Sequence, residues 1–169
     1  MQLTNRRVHL MGTVIDVSIY HKQPEPLLDQ VEALLNLYNK RFSANDASSE
    51  LMKINKAAGL HPVKIHPELF ELISLGKWHS CQPGSHLNIA IGPLIQTWRI
   101  GFSDARLPFP EEITLLLDII NPNAIVLSEE NQSVFLQEKG MKIDLGALAK
   151  GYIACLLYTS PSPRDQRGS

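Results

Sequence analysis

A chain of 169 residues, 44% hydrophobic and 20% charged, is sized for one globular domain with a substantial core. A formal net charge of −1 gives no field to draw it to nucleic acid or an anionic membrane, so no nucleic-acid partner is expected. Two cysteines cannot frame a disulfide-built secreted scaffold. The six histidines show no pair at zinc-ligand spacing, and CxxC, HExxH and GxxxxGK[ST] motifs are absent. The N-terminus lacks the apolar run of a signal peptide, and no stretch approaches the roughly 20 apolar residues of a membrane span. The expectation is a cytoplasmic protein with no transmembrane segment, or a membrane-associated one if the native N-terminus differs.

In chain order, residues 8–20 alternate apolar and polar side chains with the period of a strand. Met11-Gly12-Thr13 interrupts that strand and predicts a bulge or a close approach by another group. The neighbouring pair Arg6-Arg7 reads as a solvated strand end. Leu27, Val31, Leu34, Leu35, Tyr38 and Phe42 follow helical spacing. A polar loop over residues 43–49 offers Ser48 or Ser49 as the N-cap of a short helix through Leu51 and Ile54, and Gly59 stops it.

Residues 63–65 predict a short strand. Pro67 suits the first turn of a helix whose buried side is Leu69, Phe70, Ile73 and Trp78. Residues 87–91 read as a buried strand with one polar intruder, Asn88, before Gly92-Pro93 breaks it. A helix starting at Pro110 should bury Ile113, Leu116, Leu117 and Ile120. Three short strands are then expected, over residues 124–127, 133–137 and 141–144.

The last strand runs into the most concentrated set of polar devices in the chain. Asp144 ends it, Gly146 turns it, and a helix carrying Lys150 begins. Two readings fit this stretch. Asp is a preferred helix cap and glycine a common turn residue, which makes the stretch plain punctuation. Alternatively, the unpaired amides of a new helix attract phosphate, with Lys150 adding positive charge and Asp144 meeting a ligand or cation.

Residues 155–169 do not continue the pattern. Two prolines, three serines and a polar run cannot extend a helix. Residues 155–165 resemble the conceptual translation of a sequencing adapter joined in frame. The expected division is an N-terminal domain portion over residues 1–154 and a non-native, disordered tail over residues 155–169, the native protein running on past about Ala154.

Met11-Gly12-Thr13, Asn88-Ile89-Ala90-Ile91-Gly92-Pro93-Leu94 and Asp144-Leu145-Gly146-Ala147-Leu148-Ala149-Lys150-Gly151-Tyr152 together resemble, in order and spacing, motifs of the ApbE-type family, the FAD:protein FMN transferases. Ser49-Glu50-Leu51-Met52-Lys53-Ile54-Asn55 is similar to that family's serine-rich segment, and the stretch from Pro93 through Trp98 to Gly101 to its tryptophan-glycine segment. The resemblance covers about residues 8 to 154.

The resemblance implies an α+β fold, a mixed sheet flanked by helices in an incomplete, T-fold-like ApbE domain. It implies FAD as substrate, Mg²⁺ as cofactor and an acceptor flavoprotein as partner, FMN passing to a Ser or Thr hydroxyl with release of AMP. By position it implies flavin or nucleotide contacts at Met11, Asn45, His86, Leu87, Asn88, Asp144 and Lys150, and a metal contact at Ala147 through its main-chain carbonyl. Asn88 stands where many relatives carry Asp, and Asn45 where many carry an aromatic residue. Lys150 matches a position that is Glu in some relatives. The family's principal magnesium carboxylate lies in a C-terminal half without counterpart here, so this chain alone is expected to be inactive. Two alternatives stay open: an FAD-binding protein or FAD pyrophosphatase without protein transfer, and a non-enzymatic α+β interaction module.

Overall fold

A computed structural model describes residues 1–159. Its first unit is an antiparallel hairpin of β1 (Gln2–Leu10) and β2 (Thr13–His21), with Leu10 facing Thr13 across the turn. The expected bulge in one long strand is therefore a two-residue turn between two strands. Met11 and Gly12 have φ of 54° and 67°, the left-handed pair that matches the twist of a tight hairpin. The alternation expected in β2 holds, with Thr13, Ile15, Val17 and Ile19 turned inward and Val14, Asp16, Ser18 and Tyr20 outward.

Arg6 and Arg7 do more than solvate a strand end. Arg7 pairs with Asp16 directly across the hairpin, Nε to Oδ1 at 2.7 Å. Arg6 reaches three carboxylates of the long helix α1 (Pro24–Phe42): Glu25 at 2.7 Å, Asp29 at 2.6 Å and Glu32 at 3.1 Å. The sequence hides this clamp because its partners lie more than eighteen residues away.

Helix α1 buries Leu28, Leu35, Tyr38 and Phe42, close to the expected face. Helix α2 (Glu50–Lys56) starts at Ser49, whose hydroxyl accepts the Met52 N–H at 3.0 Å. The strand β3 (Val63–Lys64) leads into α3 (Pro67–Ser80), which has proline at its start as expected. Leu69, Phe70 and Ile73 are buried there, but Trp78 is 59% exposed. The inward face at the C-terminal end of α3 is taken by Gly76 instead, whose absent Cβ leaves room for Ile89.

Residues 87–91 do not form the expected strand. Ile89 and Ala90 are buried, but the backbone turns, with the Ile91 N–H on the Asn88 carbonyl and the Ala90 N–H on Asn88 Oδ1. Asn88 also donates from Nδ2 to the Ile120 carbonyl at 2.8 Å. A side chain that hydrogen-bonds its own neighbouring backbone competes with a ladder, and here the turn wins. Residues 141–144 also remain irregular. Their one ladder contact is a parallel bridge between Lys142 and Ile91. The other backbone groups go elsewhere: the Ile143 N–H and carbonyl pair with the Asn55 side chain, and the Asp144 N–H with the Ile89 carbonyl.

Helix α4 (Gly92–Trp98) and helix α5 (Pro110–Leu117) form a peripheral pair. The face expected to be buried on α5 is not: Ile113, Leu116 and Ile120 are half-buried and Leu117 is 53% exposed. Glu112 closes the start of α5 by accepting the Phe109 N–H at 2.9 Å while pairing with both Arg106 nitrogens. Those hydrogen bonds, with Arg106 the larger cause, hold the Glu112 carboxyl down at about 2. A depressed folded-state value stabilises above the ordinary 4.5 and is lost as pH falls toward 2. Exchange at the Phe109 amide should therefore speed up across that window beyond the intrinsic pH trend. An unchanged protection factor down to pH 2 would contradict the cap.

After a 3₁₀ turn, Pro122–Ala124, the strands β4 (Ile125–Ser128) and β5 (Ser133–Leu136) complete an antiparallel sheet in the order β3-β5-β4. The class is thus α+β: among the described residues, two small antiparallel sheets and one parallel bridge lie with the helices around a core that includes Leu51, Leu69, Ile73, Met141 and Ile143. The last helix, α6 (Gly146–Thr159), runs five residues beyond the expected boundary at residue 154. The rest of the expected tail, residues 160–169, lies outside the described residues.

Candidate functional site

Three elements meet at one pocket. The hairpin turn brings Met11, the α1–α2 connection brings Phe42, Ser43, Ala44 and Asn45, and the start of α6 brings Asp144, Gly146, Ala149 and Lys150. Each wall is held from behind. Phe42 stacks on Tyr38 at 5.4 Å and meets the edge of Tyr152 at 5.8 Å, which ties the end of α1 to α6. Tyr152 donates to Glu71 of α3 at 2.6 Å. Burial and that carboxylate push its phenol well above the ordinary tyrosine range, so it stays neutral.

The α1–α2 loop is built on Ser43. Its hydroxyl accepts the N–H groups of Asn45 at 3.2 Å and Asp46 at 3.1 Å, and its carbonyl accepts the fully buried Ser49 hydroxyl at 2.6 Å. The Asn45 side chain is left exposed at the rim.

At the opposite wall, Asp144 Oδ1 accepts the Gly146 N–H at 2.8 Å. The amides of Leu148 and Ala149 bond the Leu145 carbonyl at 2.9 and 2.8 Å. Among the described residues, the Ala147 amide alone of the first four of α6 is then left for an outside acceptor. The helix start is more fully satisfied than a bare N-terminus would be. Lys150, exposed one turn later, supplies the cationic side chain of the pocket.

Met11, Asn45, Asp144 and Lys150 therefore share one pocket, although the first and last are 139 positions apart in sequence. His86, Leu87 and Asn88 are not among its lining residues. His86 is exposed, and both ends of the Asn88 amide are engaged with backbone. That loop still touches the site, because the Ile89 carbonyl holds the Asp144 N–H at 2.9 Å. Ala147 is exposed beside Gly146 in the first turn of α6. Phe42, Ser43 and Ala44 were missed from sequence; Phe42 read only as the last core residue of its helix.

The pocket encloses about 70 Å³, far below the roughly 300–1,000 Å³ of a ligand site. A second recess of about 260 Å³ adjoins it, sharing Met11 and Lys150 and lined further by Ile15, Leu35 and Ile153. Among the described residues no group of three or more His, Cys, Asp or Glu side chains could hold a metal ion. No helix there is long and apolar enough to cross a membrane.

A family model described as the ApbE family matches residues 11–158. The chain belongs to the ApbE family. It is 43% identical over 145 residues to a Klebsiella pneumoniae protein named FAD:protein FMN transferase, covering 86% of this chain and 46% of that protein. A Treponema pallidum protein of the same name is 31% identical over 154 residues, covering 86% and 42%. The chain thus spans about half the length of the curated relatives it matches. Solved structures of an ApbE protein from Thermotoga maritima and of the flavin transferase ApbE from Vibrio cholerae align with TM-scores of 0.84 and 0.81. Their sequence identities are 23% and 18%; they cover 92% and 93% of this chain and 51% and 52% of their own. The ApbE fold is therefore present over nearly all of this chain.

Proposed function

We propose that this chain forms one wall of the flavin-nucleotide site of an FAD:protein FMN transferase. The observation that carries the reading is the convergence of Met11, Asp144 and Lys150, from two motifs far apart in sequence, with Asn45 of the α1–α2 loop on one pocket in a chain of this family. The relatives' name supplies the substrate, FAD, and a protein acceptor. In the proposed reaction an acceptor Ser or Thr oxygen attacks the phosphorus of the FMN half. A new phosphorus–oxygen bond forms, the bond from that phosphorus to the bridging pyrophosphate oxygen breaks, and AMP departs with that oxygen. The hydroxyl proton leaves to solvent or a base.

Phosphoryl transfer of this kind asks the protein for position and charge more than for covalent help. Lys150 brings positive charge to the pocket, and Met11 offers a polarisable thioether to an aromatic ring. The Ala147 amide can donate to a phosphate oxygen, while Asp144 holds the turn that aims it. Mg²⁺, a cofactor in this proposal, is supported by family resemblance rather than by the donor set. The described residues give the pocket one lining carboxylate, Asp144; Ala147, whose carbonyl the resemblance implies, is not among its lining residues. Magnesium takes six oxygens, so these do not make its site, and no step is routed through the ion.

The test is to express the protein that contains this chain, supply FAD, a divalent cation and an acceptor with an accessible Ser or Thr, and look for covalent flavin fluorescence on a denaturing gel. Labelled acceptor with AMP in equal amount is the expected result. AMP and FMN released with no labelled acceptor would replace the transferase with a hydrolase.

A further inference from the structure

We infer that α2 is a strut that sets the distance between the two polar walls of the pocket, with Ser49 and Asn55 as its positioning residues. The inference rests on the flavin-nucleotide reading of that pocket. Seven helical residues span about 10 Å, and each end of this helix is tied to a different wall.

At the N-terminal end, fully buried Ser49 serves both sides. Its oxygen accepts the Met52 N–H at 3.0 Å, and its proton goes to the Ser43 carbonyl at 2.6 Å. Ser43 in turn holds the amides of Asn45 and Asp46, so the loop that lines the pocket hangs from the cap of α2.

At the C-terminal end, Asn55 is 6% exposed, and its amide does what a neighbouring strand would do. Nδ2 donates to the Ile143 carbonyl at 3.0 Å and Oδ1 accepts the Ile143 N–H at 2.8 Å, across 88 positions of sequence. The next residue is Asp144, whose carboxylate fixes the Gly146 amide. Asn55 does not line the pocket, so it acts through Ile143 and Asp144.

A side-chain amide fits this post. It carries a donor and an acceptor on one planar group, and the paired Ile143 groups need one of each. Both would otherwise be buried unpaired, since the bridge to Ile91 is made by Lys142 and not by Ile143. Aspartate would turn an oxygen toward the Ile143 carbonyl, and alanine would leave both groups unpaired.

The test uses the full-length protein with Asn55→Ala and Ser49→Ala, and Leu28→Ala as a control of comparable destabilisation. Leu28 is buried fourteen residues before Phe42, about 21 Å along α1. In amide exchange, Asn55→Ala should expose Ile143, Asp144 and Gly146 at least tenfold while Asn45 and Asp46 change little. Ser49→Ala should do the reverse, and Leu28→Ala neither. FAD affinity, read by flavin fluorescence at a temperature where all variants are folded, should fall tenfold or more in both strut variants and stay within twofold in the control. Equal loss of protection at both walls in every variant, or wild-type FAD affinity in both strut variants, would overturn the strut. If the wild-type protein binds no FAD, the proposed function fails, and the exchange pattern alone still decides the positioning role.

Discussion

Gly92→Ala is expected to cost about 2–4 kcal/mol of stability and lower the melting temperature by roughly 5–15 °C. The reason is local. A Cβ built on Gly92 would lie 2.6 Å from the Lys142 carbonyl oxygen and 2.8 Å from the Lys142 Cβ. Backbone cannot swing aside as a side-chain tip can. The same residue donates its N–H to that carbonyl at 3.2 Å, beside the parallel bridge between Ile91 and Lys142. Pushing residue 142 away also strains Ile143 and Asp144, so on the proposed flavin-nucleotide reading FAD affinity should fall with stability. Gly12→Ala is the comparison. Gly12 has φ of 67°, but nothing lies within 4 Å of its absent Cβ. It should cost about 1–2 kcal/mol from backbone conformation alone. Thermal melts of the two variants decide this: equal shifts would remove the close packing of residue 92 on residue 142 as the cause.

The sequence made local structure legible where the cause was local. The α1 face, the Ser49 cap and Pro67 at the start of α3 each rest on residues within a turn or two of one another. The misread stretches depend on distant partners. Residues 87–91 and 141–144 have strand-like side chains, but Asn88, Asn55 and the Ile89 carbonyl take their backbone groups one by one. Met11-Gly12 read as a bulge because residues 2–7 do not look apolar enough for a strand; their pairing to β2 and the Arg6 clamp on α1 make them one. At the site, four of the positions that the family resemblance implies, Met11, Asn45, Asp144 and Lys150, line one pocket. Nothing in the motifs indicated that Asn88 would spend its amide on Ile120, or that Phe42 would form a pocket wall.

Asp144 carries the second large effect, and two substitutions separate its two possible jobs. As a cap, it needs only an oxygen for the Gly146 N–H, now 2.8 Å away. Asparagine offers that oxygen and caps about as well as aspartate, so Asp144→Asn should shift stability by no more than about 1 kcal/mol, the share due to charge near a helix start. Alanine removes the acceptor and should cost roughly 0.5–2 kcal/mol. Activity should follow a different order. A carboxylate that meets a hydroxyl or amide of the nucleotide, or a cation on its phosphates, contributes through its charge. Losing a charged hydrogen bond costs about 1.5–3 kcal/mol, or some ten- to hundredfold in affinity. In the full-length protein, both substitutions should therefore cut flavin labelling by at least tenfold, although only Asp144→Ala melts clearly lower. The same pair of measurements can refute a ligand role. If Asp144→Asn labels an acceptor at the wild-type rate and Asp144→Ala loses activity only in proportion to its lost stability, Asp144 is helix punctuation. The charge facing the nucleotide must then come from another residue.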